Sequence, residues 1–549
     1  MKKLILFSIF IGVSSHAANF FVRTNATGSA TGADWSNAWS LQGITWASVT
    51  SGDTIYLAGG TYTNALAIGK SGTAGSRILI QRVRATDSAA TNAAGWNANL
   101  DAQVFISNPV SNANVFIGIK WSDSAGDFVT VDGRITNGIS LRVSDQTTPS
   151  DSWQSSICLW LNTSFTNVSL TNLEFSSVGG AGGFKFVGAS TGIYVNGSNA
   201  KSGLSVAACS FHGMVQAVQV GTSLTDSTFE KCSFYDLFPL TPDADPLQHD
   251  NVIWGSGMTN IVFRFNRIWN WATEGLLLTS AGNGRWDIYG NVWYDGGGTS
   301  RIYEGQANNG PLYFYNNTCV NVPGFGLRVF SGTTDMKVTN NIFYSVGAVD
   351  PTTKDYNLYS GSTSEAHGIG SATSSVFADY AGKNFNIVTN IGAAYPRDKG
   401  VNLGSSYNVD FAGNTRSGTW DIGAYESDGT SGGGGGDTTA PTCAITSPAS
   451  VSSGSSGSYS TSSSTITVSG TSDDATATVT WSNSRGGAGT ATGSTSWSQA
   501  GITLASGGNV LTFIATDPSL NASTTTLNVT YTVPAAGGTT NNVGTLRIY

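Results

Sequence analysis

Apolar and polar residues alternate in short runs along most of this chain, and Gly, Asn, Ser and Thr turns interrupt the runs every few residues. No long stretch carries the i, i+3, i+4, i+7 spacing of an amphipathic helix, so the pattern predicts β-strands almost throughout. The runs also repeat. Aligning "KCSFYD", "NRIWNW", "GNVWYD", "NNTCVN" and "NNIFYS" puts Ser233, Arg267, Asn291, Asn317 and Asn341 in one column, at steps of 34, 24, 26 and 24 residues. Ser210 of "ACSFHG" lies 23 residues earlier, and the following column holds Phe234, Ile268, Val292, Thr318 and Ile342. A separate alignment of "DNVIW", "EGLLL", "SRIYE" and "FGLRV" stacks Val252, Leu276, Ile302 and Leu327 at steps of 24, 26 and 25. Two columns sharing a period imply one structural unit per repeat, stacked on its neighbours. Turn-rich units of this length predict coils of a parallel β-helix, with strands ~4.8 Å apart. The leucine spacing of leucine-rich repeats is missing, and propeller blades need about 40 residues.

The column before the first holds Cys209, Cys232, Asn266, Gly290, Asn316 and Asn340. Asn and Gly tolerate left-handed backbone, and stacked Asn side chains can hydrogen-bond up a ladder, so this column reads as structural. Cys209 and Cys232 fall one coil apart, at a separation a disulfide can bridge. The preferred reading is two buried thiols.

Pattern changes mark the domain limits. Lys2 and Lys3 precede the apolar run "LILFSIFIGV", and Ser15 and Ala17 suit a signal-peptidase site, so residues 1–17 read as a signal peptide cleaved after Ala17 or Ala18. The strand-rich body is 18–427, and the glycine-rich segment 428–438 reads as a flexible linker. Residues 439–534 alternate again in six or seven short strands, and 535–549 is a low-complexity tail. A secreted protein without membrane insertion follows from the leader, and a monomer is expected. The net charge of −8 argues against nucleic acid, which requires a basic face. Five cysteines in 549 residues do not make a disulfide framework.

The stretches "FFVRTNATGSATGADWSNAWSL" and "SGDTIYLAGGTYTN" resemble the cap and first coil of secreted right-handed parallel β-helix proteins of the pectin-lyase-like superfamily. "GTWDIGAYE" is similar to a closing motif of such proteins, and residues 439–534 resemble bacterial immunoglobulin-like modules. The resemblance implies an all-β architecture, a right-handed parallel β-helix followed by a small immunoglobulin-like β-sandwich. It does not select a reaction, since the superfamily includes lyases, glycosidases, esterases and adhesins.

Candidate chemistry gathers in "TPDADPLQHDNVIWG", Thr241–Gly255. The 34-residue step implies about ten inserted residues here, a loop projecting beside the coil face. The second alignment places Asp250, Glu274, Ser300 and Phe325 at one position on successive coils. Two carboxylates on adjacent rungs would lie roughly 5 Å apart, the separation of a retaining glycosidase pair. Asp243 and Asp245 of the loop are candidates to face Glu274 across a cleft, and His249 to shuttle a proton or bind substrate. Alternation sends Arg301, Tyr303 and Arg328 outward, toward substrate. Trp254, Trp269, Trp271, Trp286, Trp293 and Tyr294 cluster in the same coils, and core is the expected role for most.

These features favour a polysaccharide-cleaving hydrolase with paired carboxylates, Asp250 and Glu274 first, then Asp245 and His249. Asp243, Arg301, Tyr303 and Arg328 would bind substrate, and no cofactor is needed. The alternative enzyme is a lyase on a uronate polymer, with Arg301, Arg328 or His249 as base. In that case Asp243, Asp245, Asp250 and Glu274 would hold Ca²⁺. A third reading is a non-catalytic, glycan-binding surface protein.

Overall fold

The computed structural model describes residues 17–107, 116–121, 126–144, 156–178, 190–197, 200–238, 250–279, 282–305, 310–330, 335–390, 392–427, 440–475, 477–516 and 522–534. The chain divides into two compact units, Met1–Gly432 and Gly433–Tyr549. The first is the expected right-handed parallel β-helix. One coil runs through Met258–Arg264, a two-residue turn, Arg267–Trp271, a second short turn, and Glu274–Leu278 before looping to Trp286–Tyr289. Strands equivalent to these three form a first, second and third stack. Among the described residues the first stack belongs to a 14-stranded sheet, and the other two share a 19-stranded one.

Strand alternation buries one side of first-stack strands such as Met258–Arg264, whereas third-stack strands such as Glu274–Leu278 are buried at every position. Val252, Leu276, Ile302 and Leu327 all enter the main core, but they do not form the expected single column: Leu276 pairs with Ile253 and Tyr303, and Tyr303 with Leu327. Phe175, Phe211 and Phe234 stack face to face inside it, with ring centroids 4.4 and 4.9 Å apart. Trp271, Trp286 and Trp293 are fully buried there. Each such side chain contributes about 1.5–3 kcal/mol by leaving water.

Pairing sets Ser210, Ser233, Arg267, Val292, Thr318 and Ile342 opposite one another. The expected first column therefore slips by one residue after Arg267. Asn291, Asn317 and Asn341 belong one place earlier, following Cys209, Cys232 and Asn266. Two roles read as one column are in fact adjacent columns. Lys231, Phe265, Gly290, Asn316 and Asn340 take the left-handed turn conformation, with φ from 51 to 65°. The residues after them are Cys232, Asn266, Asn291, Asn317 and Asn341; the four asparagines, with Asn357 after the left-handed Tyr356, form the ladder.

In the ladder, the backbone N–H and Nδ2 of each Asn donate to Oδ1 of the next, at 2.9–3.1 Å. Nδ2 also reaches core-side carbonyls, such as Ile288 and Tyr315 for Asn317. The last rung, Asn357, donates to the Glu365 carboxylate through both N and Nδ2. Cys232 and Cys209 extend the column at the other end. The Cys232 N–H donates to Asn266 Oδ1, and its thiol to the Val206 and Glu230 carbonyls. The Cys209 thiol donates to Leu170 and Ala207. Both cysteines are free and buried, each thiol standing where the ladder elsewhere has an amide.

Past Leu358–Tyr359, Val376, Phe377, Phe385 and Ile422 pack with Val292, Tyr294 and Val320 in a separate core over the last coils. The closing motif is pinned by a fully buried Arg416–Glu426 ion pair at 2.9 Å. The second unit is a β-sandwich of three- and five-stranded sheets around Val468, Trp497, Phe513 and Leu527. It has eight strands among the described residues, against the six or seven expected; the short Ala488–Thr490 sits at a sheet edge.

Candidate active site

The third stack carries most of the predicted site residues, in a register one residue from that expected. Glu274 pairs with Asn251 and Arg301, and Arg301 with Phe325. Asp250 is therefore not the rung partner of Glu274. It precedes Asn251–Gly255 and is buried, with Oδ2 accepting the Ala272 N–H at 2.9 Å and Oδ1 the Thr273 hydroxyl at 2.7 Å. Burial pushes its carboxyl up to about 7; those two hydrogen bonds oppose the shift and the Glu274 charge adds to it. Asp250 thus fixes the turn of the next coil and is closed to solvent.

Alternation also fails where it was used to place Tyr303. Ile302 and Tyr303 are consecutive and both lie in the core, as do Val252 and Ile253. Tyr303 is fully buried, so its expected role as an outward substrate contact is corrected. Gly275 lies between the paired positions 274 and 276. A Cβ there would come within 2.7 Å of both the Ile302 carbonyl and the Trp293 ring, so only glycine fits.

The break in alternation turns the next residue outward. Glu304 pairs with Leu277 and Arg328. Arg301 Nη1 lies 2.5 Å from Glu274 Oε1 and 2.6 Å from Glu304 Oε2. Arg328 Nη1 stands 3.6 Å from the same Glu304 oxygen. The Arg328 guanidinium lies over Phe325 and Phe330, 5.2 and 4.6 Å from their centroids. Phe330 is among the few exposed large apolar residues, and Arg328 remains one-third exposed. The result is a line of alternating charge, Glu274–Arg301–Glu304–Arg328, ending beside an exposed aromatic ring.

Of the sequence candidates, the structure brings together Glu274, Arg301 and Arg328. It withdraws Asp250 and Tyr303 into the interior. Asp243, Asp245 and His249 lie outside the described residues. Glu304 was missed, because alternation from Arg301 sends it inward and only the burial of both Ile302 and Tyr303 turns it out. Among the described residues no cluster of three or more His, Cys, Asp or Glu could hold a metal ion. The described members of the expected calcium set do not fit one, because Asp250 is bonded to turn donors and Glu274 to Arg301.

No protein-family model matches the chain, and no curated protein matches it. Among solved structures, pectate lyase Pel9A aligns over 75% of this chain and 97% of its own, with a TM-score of 0.50 and 17% identity. XylC in complex with xylose aligns over 74% and 98%, at 0.43 and 9%. A mannuronic acid specific polysaccharide family 6 lyase from human gut microbiota aligns over 62% and 80%, at 0.36 and 11%. The first of these likenesses shows the fold, a parallel β-helix of the kind found in that pectate lyase.

Proposed function

We propose that the protein cleaves glycosidic bonds of a polysaccharide on the outward face of the third stack, as a hydrolase. The observation that carries this reading is the pair Glu274 and Glu304, both held on the single nitrogen Arg301 Nη1 at 2.5 and 2.6 Å. Carboxylates gathered this closely suit the ~5–5.5 Å spacing of a retaining pair. One carboxyl protonates the glycosidic oxygen as the bond breaks, and the other attacks the anomeric carbon. Water then releases the sugar, with the first residue acting as base. Arg328 and Phe330 supply a donor and an apolar ring for the neighbouring sugar. Incubation with a panel of plant and algal polysaccharides should release reducing ends without unsaturated uronates. Glu274→Gln and Glu304→Gln should each lower turnover by about 10³-fold or more while the circular dichroism is unchanged. Full activity in both variants would overturn the assignment.

One observation favours a lyase instead. Arg328 is held only loosely by Glu304 and is free to neutralise a uronate carboxylate. Unsaturated ends in the same panel would select that reading. No product from any glycan would favour a non-catalytic binding surface.

Export fits one further contact. The Ala18 N–H donates to Asp53 Oδ1 at 2.7 Å, and Thr50 engages Oδ2. Cleavage after Ala17 would turn that N–H into an ammonium facing a preformed carboxylate, whereas cleavage after Ala18 would remove it. N-terminal sequencing of the exported protein should begin at Ala18.

A further inference from the structure

A second group of chemically active side chains lies on the outward face of the second stack and shares no residue with the first. Ser176 pairs with Arg142 and His212, and His212 pairs with Tyr235, so these positions stand on successive rungs. Glu174, two residues before Ser176, joins them. Its Oε1 lies 3.0 Å from His212 Nε2 and its Oε2 3.6 Å from Arg142 Nη2. Arg142 Nε donates to Ser140 Oγ at 3.0 Å, and its guanidinium covers the Phe105 ring at 4.5 Å. Tyr235 stacks on the imidazole, with centroids 4.7 Å apart and planes 10° from parallel. Trp269 continues the stack at 4.4 Å.

The protonation states follow from these contacts. Burial raises the Glu174 carboxyl, but hydrogen bonds from His212 and Ser140 and the charges of His212 and Arg142 outweigh it, leaving it below the ordinary range. An ionised carboxylate can only accept, so His212 Nε2 carries a hydrogen, and in the neutral imidazole Nδ1 then holds the lone pair. Among the described residues nothing bonds Nδ1, and no serine hydroxyl reaches the ring. Burial first, then the charges of Glu174 and Asp236, raises the Tyr235 phenol and keeps it protonated. Glu174 is largely buried, whereas the Arg142 and His212 side chains are 40% and 24% exposed. The oriented base and the cation therefore face solvent.

Arg142 and Glu174 cancel, so the site carries no net charge with neutral imidazole. That is poor recognition for an ionised substrate. It suits a neutral one that develops negative charge during reaction beside a guanidinium. We propose that Arg142, Glu174, His212 and Tyr235 form a second catalytic site that hydrolyses a neutral carboxylic ester carried by a sugar. That a sugar carries the ester rests on the glycan reading above; the ester hydrolysis does not. His212 Nδ1 takes a proton from water as the water oxygen adds to the ester carbonyl carbon. The carbonyl π electrons move onto oxygen, where Arg142 and the Tyr235 hydroxyl stabilise them. Collapse breaks the carbon–alkoxy bond, the imidazolium returns its proton to the leaving alkoxide, and an acid and an alcohol result. Glu174 acts through His212 and is a positioning residue.

The test uses the full-length protein and follows acid release from three substrates: p-nitrophenyl acetate, an O-acetylated xylan and a methyl-esterified polygalacturonate. Release from either polysaccharide identifies an O-acyl or a methyl ester, and release from the nitrophenyl ester alone overturns only the sugar assignment. His212→Ala should lower the rate by about 100-fold, with added imidazole restoring part of it. Arg142→Gln, which leaves the strand pairing intact, should lower kcat in the same way. Glu174→Gln should lower kcat about tenfold with KM nearly unchanged, a split that mere loosening of the fold would not give. No acid release from any ester would overturn the proposal, as would wild-type rates in His212→Ala and Arg142→Gln. Unsaturated uronate products dependent on His212 would overturn it in favour of an elimination.

Discussion

Two polar lines run along this β-helix, and they are built on opposite principles. The asparagine line lies buried in the turn before the second stack, and every rung repeats one neutral side chain. The charged line on the third stack alternates Glu274, Arg301, Glu304 and Arg328, and its far end is loose and partly exposed. In the first, each amide satisfies the next, so the whole line is saturated. In the second, one guanidinium serves two carboxylates, and the last cation has room for another partner. Saturation marks the line that holds the coils together; incompleteness marks the line that has something left to bind.

The sharpest way to break the contrast is to remove a middle rung of the buried line. Asn317→Ala strips the Asn291 N–H of its acceptor and two core-side carbonyls of their donor. Chemical denaturation should show a loss of about 3 kcal/mol, from several buried groups left unpaired. A loss below about 1 kcal/mol would mean the ladder is ornamental. Arg301→Met leaves Glu274 without its cation and Glu304 with only Arg328 at 3.6 Å, and should cost about 2–3 kcal/mol. Adding Glu274→Gln and Glu304→Gln should recover most of that. A charged line important for stability as a line, rather than for its unpaired charges, would show no recovery.

Asp250 tests the boundary between the two kinds of line, since it is a buried carboxyl at the start of a third-stack strand. Its folded value of about 7 lies above the usual 3.8. Between these values the unfolded chain releases a proton that the folded one keeps, so stability should fall as pH rises from about 4 to about 7 and level off above. Asp250→Asn should flatten that slope and gain on the order of 2 kcal/mol at pH 8. An unchanged slope in thermal melts across that range would show the group is not buried as described. The smallest effect belongs to Cys232. Replacement by Val should cost about 1 kcal/mol, because the single thiol hydrogen shared between two nearby carbonyls is lost, whereas Asn should be tolerated within about 1 kcal/mol as an added rung.

Periodicity made the helix readable from the chain alone, since inward columns must repeat wherever coils stack. The register was readable only to within one residue. "GN", "NN" and "NN" at 290–291, 316–317 and 340–341 place a left-handed turn residue beside a ladder residue, and either can be aligned with Asn266. The site was partly readable for a related reason. Glu274, Arg301 and Arg328 follow the strand pattern, but Glu304 appears only because Ile302 and Tyr303 both turn inward, against alternation. Nothing local in "SRIYE" announces that break. The second-stack group was invisible because Arg142, Glu174, His212 and Tyr235 are scattered over 94 residues and meet only through coil stacking.

The asparagine line also has a direction. Donors on each rung point to the acceptor of the next, so a run of any length ends with donors still to be met, and Glu365, which can only accept, meets them. The carboxylate works as a full stop. Whole coils between Asn266 and Asn341 can be duplicated or deleted without disturbing the sentence, whereas a coil added after Asn357 must carry the stop along with it. The length of such a protein can therefore drift in its interior while its ending stays fixed, and one glutamate says where the repeats are finished.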